Sequence, residues 1–281
     1  MGIRKMIAAV VVGLLALAFG ALAYLAQHHP ALGPHGKIDP MPQSSKPTVR
    51  GLYLGTSSLA WTDGQTSWMV DGFFSRQSIA DVAFKRLDVD QSRVRDTAQR
   101  VFQTLQVPPG LRGIFVAHSH YDHSIDAPFL AKTYGGTVYG SDSTAKIAVG
   151  QNLKPLQIEV LRNRQKVRLG RFEVQAIHSK HAPTGFTGGF NATPLALPAH
   201  ALAFKEGTSY SFVLSHAQLG SKPFALIQPS AGFVRGQNAG IEVDTVFLGT
   251  GGLGKLDDSY IEAYWQEMVK NTQAKRVYLI H

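Results

Sequence analysis

Hydrophobic and polar positions along this chain fall into three regimes. From Met6 to Ala26 no charge interrupts the apolar residues, roughly 31 Å of helix and enough to cross a bilayer. Residues 28–48 carry Pro30, Pro34, Pro40, Pro42 and Pro47 and read as an extended linker. In residues 49–281 short apolar runs alternate with stretches of helical period, the pattern of a single α/β domain.

Within that domain, Val49 to Leu59 and Gln65 to Val70 predict two strands joined around the Asp63-Gly64 turn. Val94, Ala98, Val101, Phe102 and Leu105 recur at helical spacing, and Val107-Pro108-Pro109-Gly110 stops that helix. A buried strand is expected over Gly113–Ala117, a short helix over Pro128–Tyr134 and a strand over Thr137–Gly140. Ser141-Asp142-Ser143 suits the N-cap of a helix running through Val149. Arg164 to Ile177 reads as a hairpin turning at Gly170. Thr184 to Glu206 has no clear period and predicts a loop over a site. Tyr210–Leu214 and Phe224–Gln228 form a further hairpin, and Asp244–Leu248 a strand. A helix follows over Asp258–Val269, burying Tyr260, Ala263, Tyr264 and Met268, before a last strand over Arg276–His281.

The chemistry is concentrated where the Gly113–Ala117 strand ends, in His118-Ser119-His120-Tyr121-Asp122-His123. Side chains two apart on an extended segment point the same way, so His118 and His120 offer two imidazoles to one ion. Asp122 and His123 turn off the strand end and can serve a second ion. Burying so many ionisable groups is costly unless something pairs them. Imidazoles and a carboxylate suit zinc, and also iron or manganese.

This His-x-His-x-Asp-His pattern resembles the signature of the metallo-β-lactamase superfamily, and the likeness extends in the order of its parts from about Val49 to His281. The resemblance implies a four-layer αββα sandwich with one or two metals at the edge between two sheets. It also implies that Asp71, in Val70-Asp71-Gly72, accepts a hydrogen bond from the outer nitrogen of a ligand histidine. The third ligand of the first metal lies in His178-Ser179-Lys180-His181, where His181 fits the family's spacing better than His178. Asp122, His123 and His281 would hold the second metal, zinc in both positions being the first expectation. Ser230 stands where the family has a bridging aspartate, so the second ion should bind more weakly than the first. Family members are mostly hydrolases of esters, amides, thioesters or phosphodiesters, with metal-activated water as the nucleophile.

Composition narrows this further. With no cysteine, any metal must be held by histidine and carboxylate, and disulfides and thiol nucleophiles are excluded. The formal net charge of +9 admits an acidic substrate, a membrane surface or nucleic acid. Its densest basic stretch, Arg162 to Arg171, reads as the solvated face of a hairpin, and a small-molecule substrate is expected over nucleic acid. His28, His29, His35 and His200 read as surface histidines. Arg4 and Lys5 precede the apolar run and favour a cytoplasmic N-terminus, placing the domain outside the cytoplasm. The segment is either an uncleaved anchor or a signal peptide cleaved near Ala21-Leu22-Ala23. Two alternatives to an exported hydrolase stay open: a degenerate binding or scaffolding domain, and a nuclease.

Overall fold

The computed structural model describes residues 2–27, 49–183 and 188–280 in two compact units, Met1–Ser45 and Lys46–His281. In the first, α1 (Ile3–Gln27) contains an 18-residue window, Ile3–Gly20, with mean hydropathy 2.0 and no buried share. By length and composition it can cross a membrane.

The second unit opens with β1 (Arg50–Tyr53), β2 (Leu59–Thr62) and β3 (Ser67–Val70), followed by α2 (Ile79–Phe84), β4 (Arg86–Leu87) and α3 (Gln91–Thr104). Next come β5 (Gly113–Phe115), α4 (Tyr121–Ser124), α5 (Ala127–Tyr134), β6 (Thr137–Gly140), α6 (Asp142–Gly150) and β7 (Ile158–Val160). The remainder is β8 (Lys166–Leu169), β9 (Phe172–Ser179), β10 (Ala199–His200), β11 (Ser209–His216), β12 (Ala225–Gln228), β13 (Thr245–Gly249), α7 (Asp258–Trp265) and β14 (Arg276–Ile280). Two six-stranded sheets result, ordered β1-β2-β3-β5-β6-β7 and β14-β13-β12-β11-β9-β8, with β4 and β10 forming a small separate pair. Each large sheet is part antiparallel and part parallel, and helices make the crossovers that parallel neighbours such as β5–β6 and β13–β14 require.

Alternation along the strands builds the layers. In and after β5, Phe115 and Ala117 point between the sheets, where they meet Phe172, Val174, Phe212 and Leu214 of the other sheet. Ile114 and Val116 point the opposite way, onto Val94, Ala98 and Phe102 of α3 and Leu130 of α5. On the far side Val213, Leu226, Val246 and Leu248 pack against Tyr264, Met268 and Val269. Strands buried on both faces read as continuous apolar runs, which is why Gly113–Ala117 shows no polar alternation. Trp68 seals the centre edge-on against Phe115 at 5.4 Å and Phe172 at 5.7 Å between ring centroids. The architecture is the expected four-layer αββα sandwich.

One predicted strand is two. Val49 to Leu59 breaks at Gly55 and Thr56, whose φ values of 85° and 54° reverse the chain. β1 then pairs antiparallel with β2, Tyr53 against Leu59. The Asp63-Gly64 turn joins β2 to β3 as expected, with Gly64 at φ 86° and both turn amides, Gln65 and Thr66, donating to the Asp63 carboxylate. Thr184 to Glu206 is more ordered than its composition predicts. Residues 184–187 lie outside the described residues, but β10 pairs with β4 and Ala201–Ala203 form a 3-10 turn. The α7 helix buries Tyr264, with Met268 just beyond it, while Tyr260 and Ala263 are only half-buried.

Candidate metal centre

The backbone after β5 is held from both sheets. Val116 N donates to Tyr139 O of β6, and Ala117 N to Asp71 Oδ1 at 2.8 Å. From the other sheet's side, Tyr210 N donates to Ala117 O, and Glu206 O accepts from Ser119 N, each at 2.8 Å. The segment between β5 and α4 is therefore a seam where the two sheets meet. Ser119, between the two histidines, turns away and bonds the hydroxyls of Ser141 and Thr144 at the start of α6. That leaves His118 and His120 on the opposite side, both buried.

His181, just past β9, completes the group. The nitrogens of His118, His120 and His181 offer ligand atoms within 4.8 Å of one another. Their ring centroids form a nearly equilateral triangle with sides of 4.7, 4.6 and 4.7 Å, and the planes cross at 77° to 88°. His181 Nδ1 donates to its neighbour's carbonyl, Ala182 O, at 2.7 Å. That bond fixes the tautomer and leaves Nε2 with a free lone pair. Burial lowers the His181 pKa, against the Ala182 carbonyl and the charges of Glu206 and Asp122. A neutral imidazole is the form a metal requires. His178 and His200 are exposed and stand outside the triangle.

Beside the triangle, His123 lies 3.8 Å from His118 between ring centroids. Its Nδ1 sits 2.8 Å from Asp71 Oδ2 and 2.9 Å from Ser57 Oγ, and Ser57 donates to the same carboxylate oxygen. Burial acts to lower the His123 pKa, but Asp71 and Asp122 outweigh it and the net direction is upward. With Nδ1 committed to Asp71, Nε2 faces Asp122 Oδ2 at 3.7 Å. Asp71 takes φ 57°, a left-handed conformation that aspartate tolerates better than most residues. Asp122 is one-fifth exposed on the first turn of α4. His281 lies outside the described residues, so of the second expected ligand group the structure places Asp122 and His123.

Ser230 serves the first group. Its Oγ accepts from Ala182 N at 2.9 Å, bracing the turn that carries His181. Gln228, at the end of β12, donates to Ser230 O and Gly232 O at 2.6 and 2.8 Å. A Cβ on Gly232 would fall 2.2 Å from Lys180 O and 2.3 Å from His181 O, so only glycine lets these two turns pack.

Several supporting residues escape sequence reasoning. Ser57 reaches Asp71 only because the chain reverses at Gly55. Asp126 accepts from Phe74 N, Ser75 N and Ser75 Oγ, tying the Asp71-Gly72 loop to the start of α5. Burial pushes its carboxyl up to about 6 despite those bonds. Glu206 could have been suspected as an acid placed just before β11.

Two stacked sheets, helices outside both, and a histidine triangle on the seam between them settle the architecture. The fold is that of the metallo-β-lactamases. No family model and no curated protein matches the chain. The chain is similar to solved structures at low identity. A metallo hydrolase from the hyperthermophilic archaeon Ignicoccus hospitalis is 12% identical, with a TM-score of 0.48 over 83% of this chain and 82% of that one. The diiron β-hydroxylase CmlA from Streptomyces venezuelae is 15% identical, with a TM-score of 0.48 over 86% of this chain and 45% of that one. A metallo-β-lactamase from Cronobacter sakazakii is 17% identical, with a TM-score of 0.36 over 62% of this chain and 57% of that one.

Proposed function

We propose that this protein is a metal-dependent hydrolase of a small-molecule ester, amide or phosphodiester. The supporting observation is the triangle of His118, His120 and His181, whose nitrogens converge within 4.8 Å. A three-imidazole set fits zinc, which commonly takes three protein ligands at a catalytic site and leaves a position open. His181 also meets the requirement for a fixed tautomer, through Ala182 O. A zinc ion in such a set supplies Lewis acidity and lowers the pKa of water to about 7.

The chain's own residues divide the remaining work. Asp71 and Ser57 fix His123 through Nδ1 and turn Nε2 toward Asp122. Asp122, partly open to solvent, is the carboxylate placed to orient water and accept its proton. Together they form a second, weaker position for a metal. Ser230 adds no negative charge there, and its hydroxyl is engaged with Ala182. The N-terminal helix, with Arg4 and Lys5 in its first turn on the cytoplasmic side, tethers or exports the domain.

Metal analysis of the purified protein, with turnover of ester, lactam and phosphodiester substrates before and after chelation, tests this reading. Bound zinc and chelator-sensitive turnover are expected, both lost in His118→Ala. Metal-free protein that binds these compounds unchanged and never turns them over would establish a binding domain instead.

A further inference from the structure

Away from the metal centre, the two sheets enclose a cleft that the hydrolase reading leaves unused. Its volume is about 370 Å³, and residues of both sheets line it. Arg112, directly before β5, and Gly136-Thr137, entering β6, come from the first sheet; Arg168 and Leu169, at the end of β8, come from the second. His118 follows Arg112 by roughly 20 Å of extended chain, so the cleft and the histidine triangle stand at opposite ends of β5. The walls are tightly held. Arg112 N donates to Ser67 O at 2.8 Å, and Thr137 N to Arg112 O at 3.4 Å. Gly136, at φ 88°, lies flat on that backbone, where a Cβ would come within 2.8 Å of Arg112 C and Leu111 O. A Cβ on Gly113 would fall 3.1 Å from Leu169 Cδ1, so the sheets touch at the inner wall. Gln157 Nε2 donates to Gly136 O and Ala131 O at 3.0 and 3.1 Å, which uses both its amide hydrogens and leaves Oε1 as an acceptor.

Charge then selects the ligand. No acidic residue lines the cleft. Arg171, beside the Gly170 rim, is neutralised by Asp63 at 2.8 Å. Arg168 shares Glu173 with Lys166, at 3.3 and 2.7 Å, so one carboxylate serves two cations. Among the described residues the Arg112 guanidinium has no hydrogen-bond or ion-pair partner. A carboxylate satisfies one guanidinium fork, whereas a phosphate monoester brings roughly two negative charges and three acceptor oxygens that two forks can share. The Thr137 hydroxyl and Gln157 Oε1 are suited to the hydroxyl groups of the same molecule. Sites for small molecules span about 300–1,000 Å³, and this cleft stands at the small end. We propose that the cleft is a binding site for a small hydroxylated molecule carrying a phosphate group, with Arg112 and Arg168 on the phosphate. The site is separate from the metal centre and independent of its reaction.

Bound metal would itself attract phosphate, so the test is made on chelator-treated protein. The full chain in detergent micelles is titrated calorimetrically with ribose 5-phosphate, ribose and citrate. Ribose 5-phosphate should bind saturably, and ribose and citrate far more weakly. Arg112→Gln should weaken ribose 5-phosphate by about tenfold or more, the loss expected for a charge-assisted hydrogen bond. Arg168→Gln should weaken it less, because Glu173 already holds part of that guanidinium. Arg112→Lys keeps the charge without the fork and should fall between wild type and Arg112→Gln; it also serves if the glutamine variant folds poorly. His118→Ala should leave binding unchanged. Amide NMR shifts on adding ribose 5-phosphate should centre on Gly136 and Gly170. The proposal is overturned if ribose 5-phosphate gives no saturable binding, if the arginine variants bind it as wild type does, or if citrate binds equally well. Binding lost in His118→Ala and kept in Arg112→Gln would assign the phosphate to the metal centre and overturn it too.

Discussion

Asp71→Asn separates the support of the second ligand group from the first. The wild-type carboxylate is wholly buried and accepts from Ala117 N on Oδ1 and from His123 Nδ1 and Ser57 Oγ on Oδ2. An amide cannot satisfy both sides. With its oxygen toward Ala117, its NH2 meets His123 Nδ1, and the imidazole must move its proton to Nε2, the nitrogen facing Asp122. With the amide reversed, NH2 confronts the Ala117 N–H, and a buried donor is left unpaired beside the metal-binding seam. Either arrangement loses a charge-assisted hydrogen bond of about 1.5–3 kcal/mol. Loss of such an outer partner typically weakens metal binding by about 10–100-fold. Calorimetric titration of zinc into the apo protein should therefore show the weaker of two binding steps shifted by that factor. The tight step, assigned to His118, His120 and His181, should stay nearly in place. Nitrogen NMR of the imidazoles reads the His123 tautomer directly, and Ser57→Ala provides a milder perturbation of the same oxygen should Asp71→Asn fold poorly. A folded Asp71→Asn protein with wild-type titration and an unchanged His123 tautomer would refute the reasoning.

The other predictions bear on neighbouring parts of the site. His181→Ala should release the tightly held metal while His178→Ala retains it, checked by metal content after gel filtration; full retention in the His181 variant would mean that the triangle is not the ligand set. Ser230→Asp should raise occupancy of the second position, because a carboxylate offsets repulsion between two close dications and can still accept from Ala182 N. Two equally tight ions in the wild type would contradict that expectation. Asp126 is raised in the folded protein to about 6 from an ordinary value of 3.8, so the native state holds its proton more tightly than the unfolded chain. Its effect is most favourable below about pH 4 and declines as pH rises toward 6, by up to about 3 kcal/mol. Asp126→Asn should flatten that part of a denaturation-versus-pH profile, and parallel profiles for the two proteins would exclude it.

Those parts of the molecule that local pattern controls were readable in advance. Ser141 caps α6 by accepting from Thr144 N. The buried stripe of α3, Val94, Ala98, Val101 and Phe102, follows the period of the sequence. His118 and His120 likewise converge because a two-residue step in extended chain gives two side chains one direction. Parts that depend on distant partners were not readable. The reversal at Gly55 looks, by hydrophobicity alone, like the middle of one long strand. β4 exists only through its pairing with β10 across the chain, where Arg86 Nε also donates to Pro198 O. Short, exposed and apolar, α2 has no amphipathic period to announce it.

The same distinction runs through the metal centre itself. Its candidate ligands cluster in one hexapeptide plus His181, but their orientation is set from elsewhere. Asp71 reaches Ala117 and His123 across 46 and 52 residues of chain, and Ser57 reaches His123 across 66. Ser230 braces the His181 turn across 48. A motif can thus name the atoms that would touch a metal, while the hydrogen bonds that choose their tautomers come from long-range packing of both sheets. Loss of Ser57, Asp71 or Ser230 would leave the histidine signature intact in sequence, yet misalign the nitrogens on which it depends.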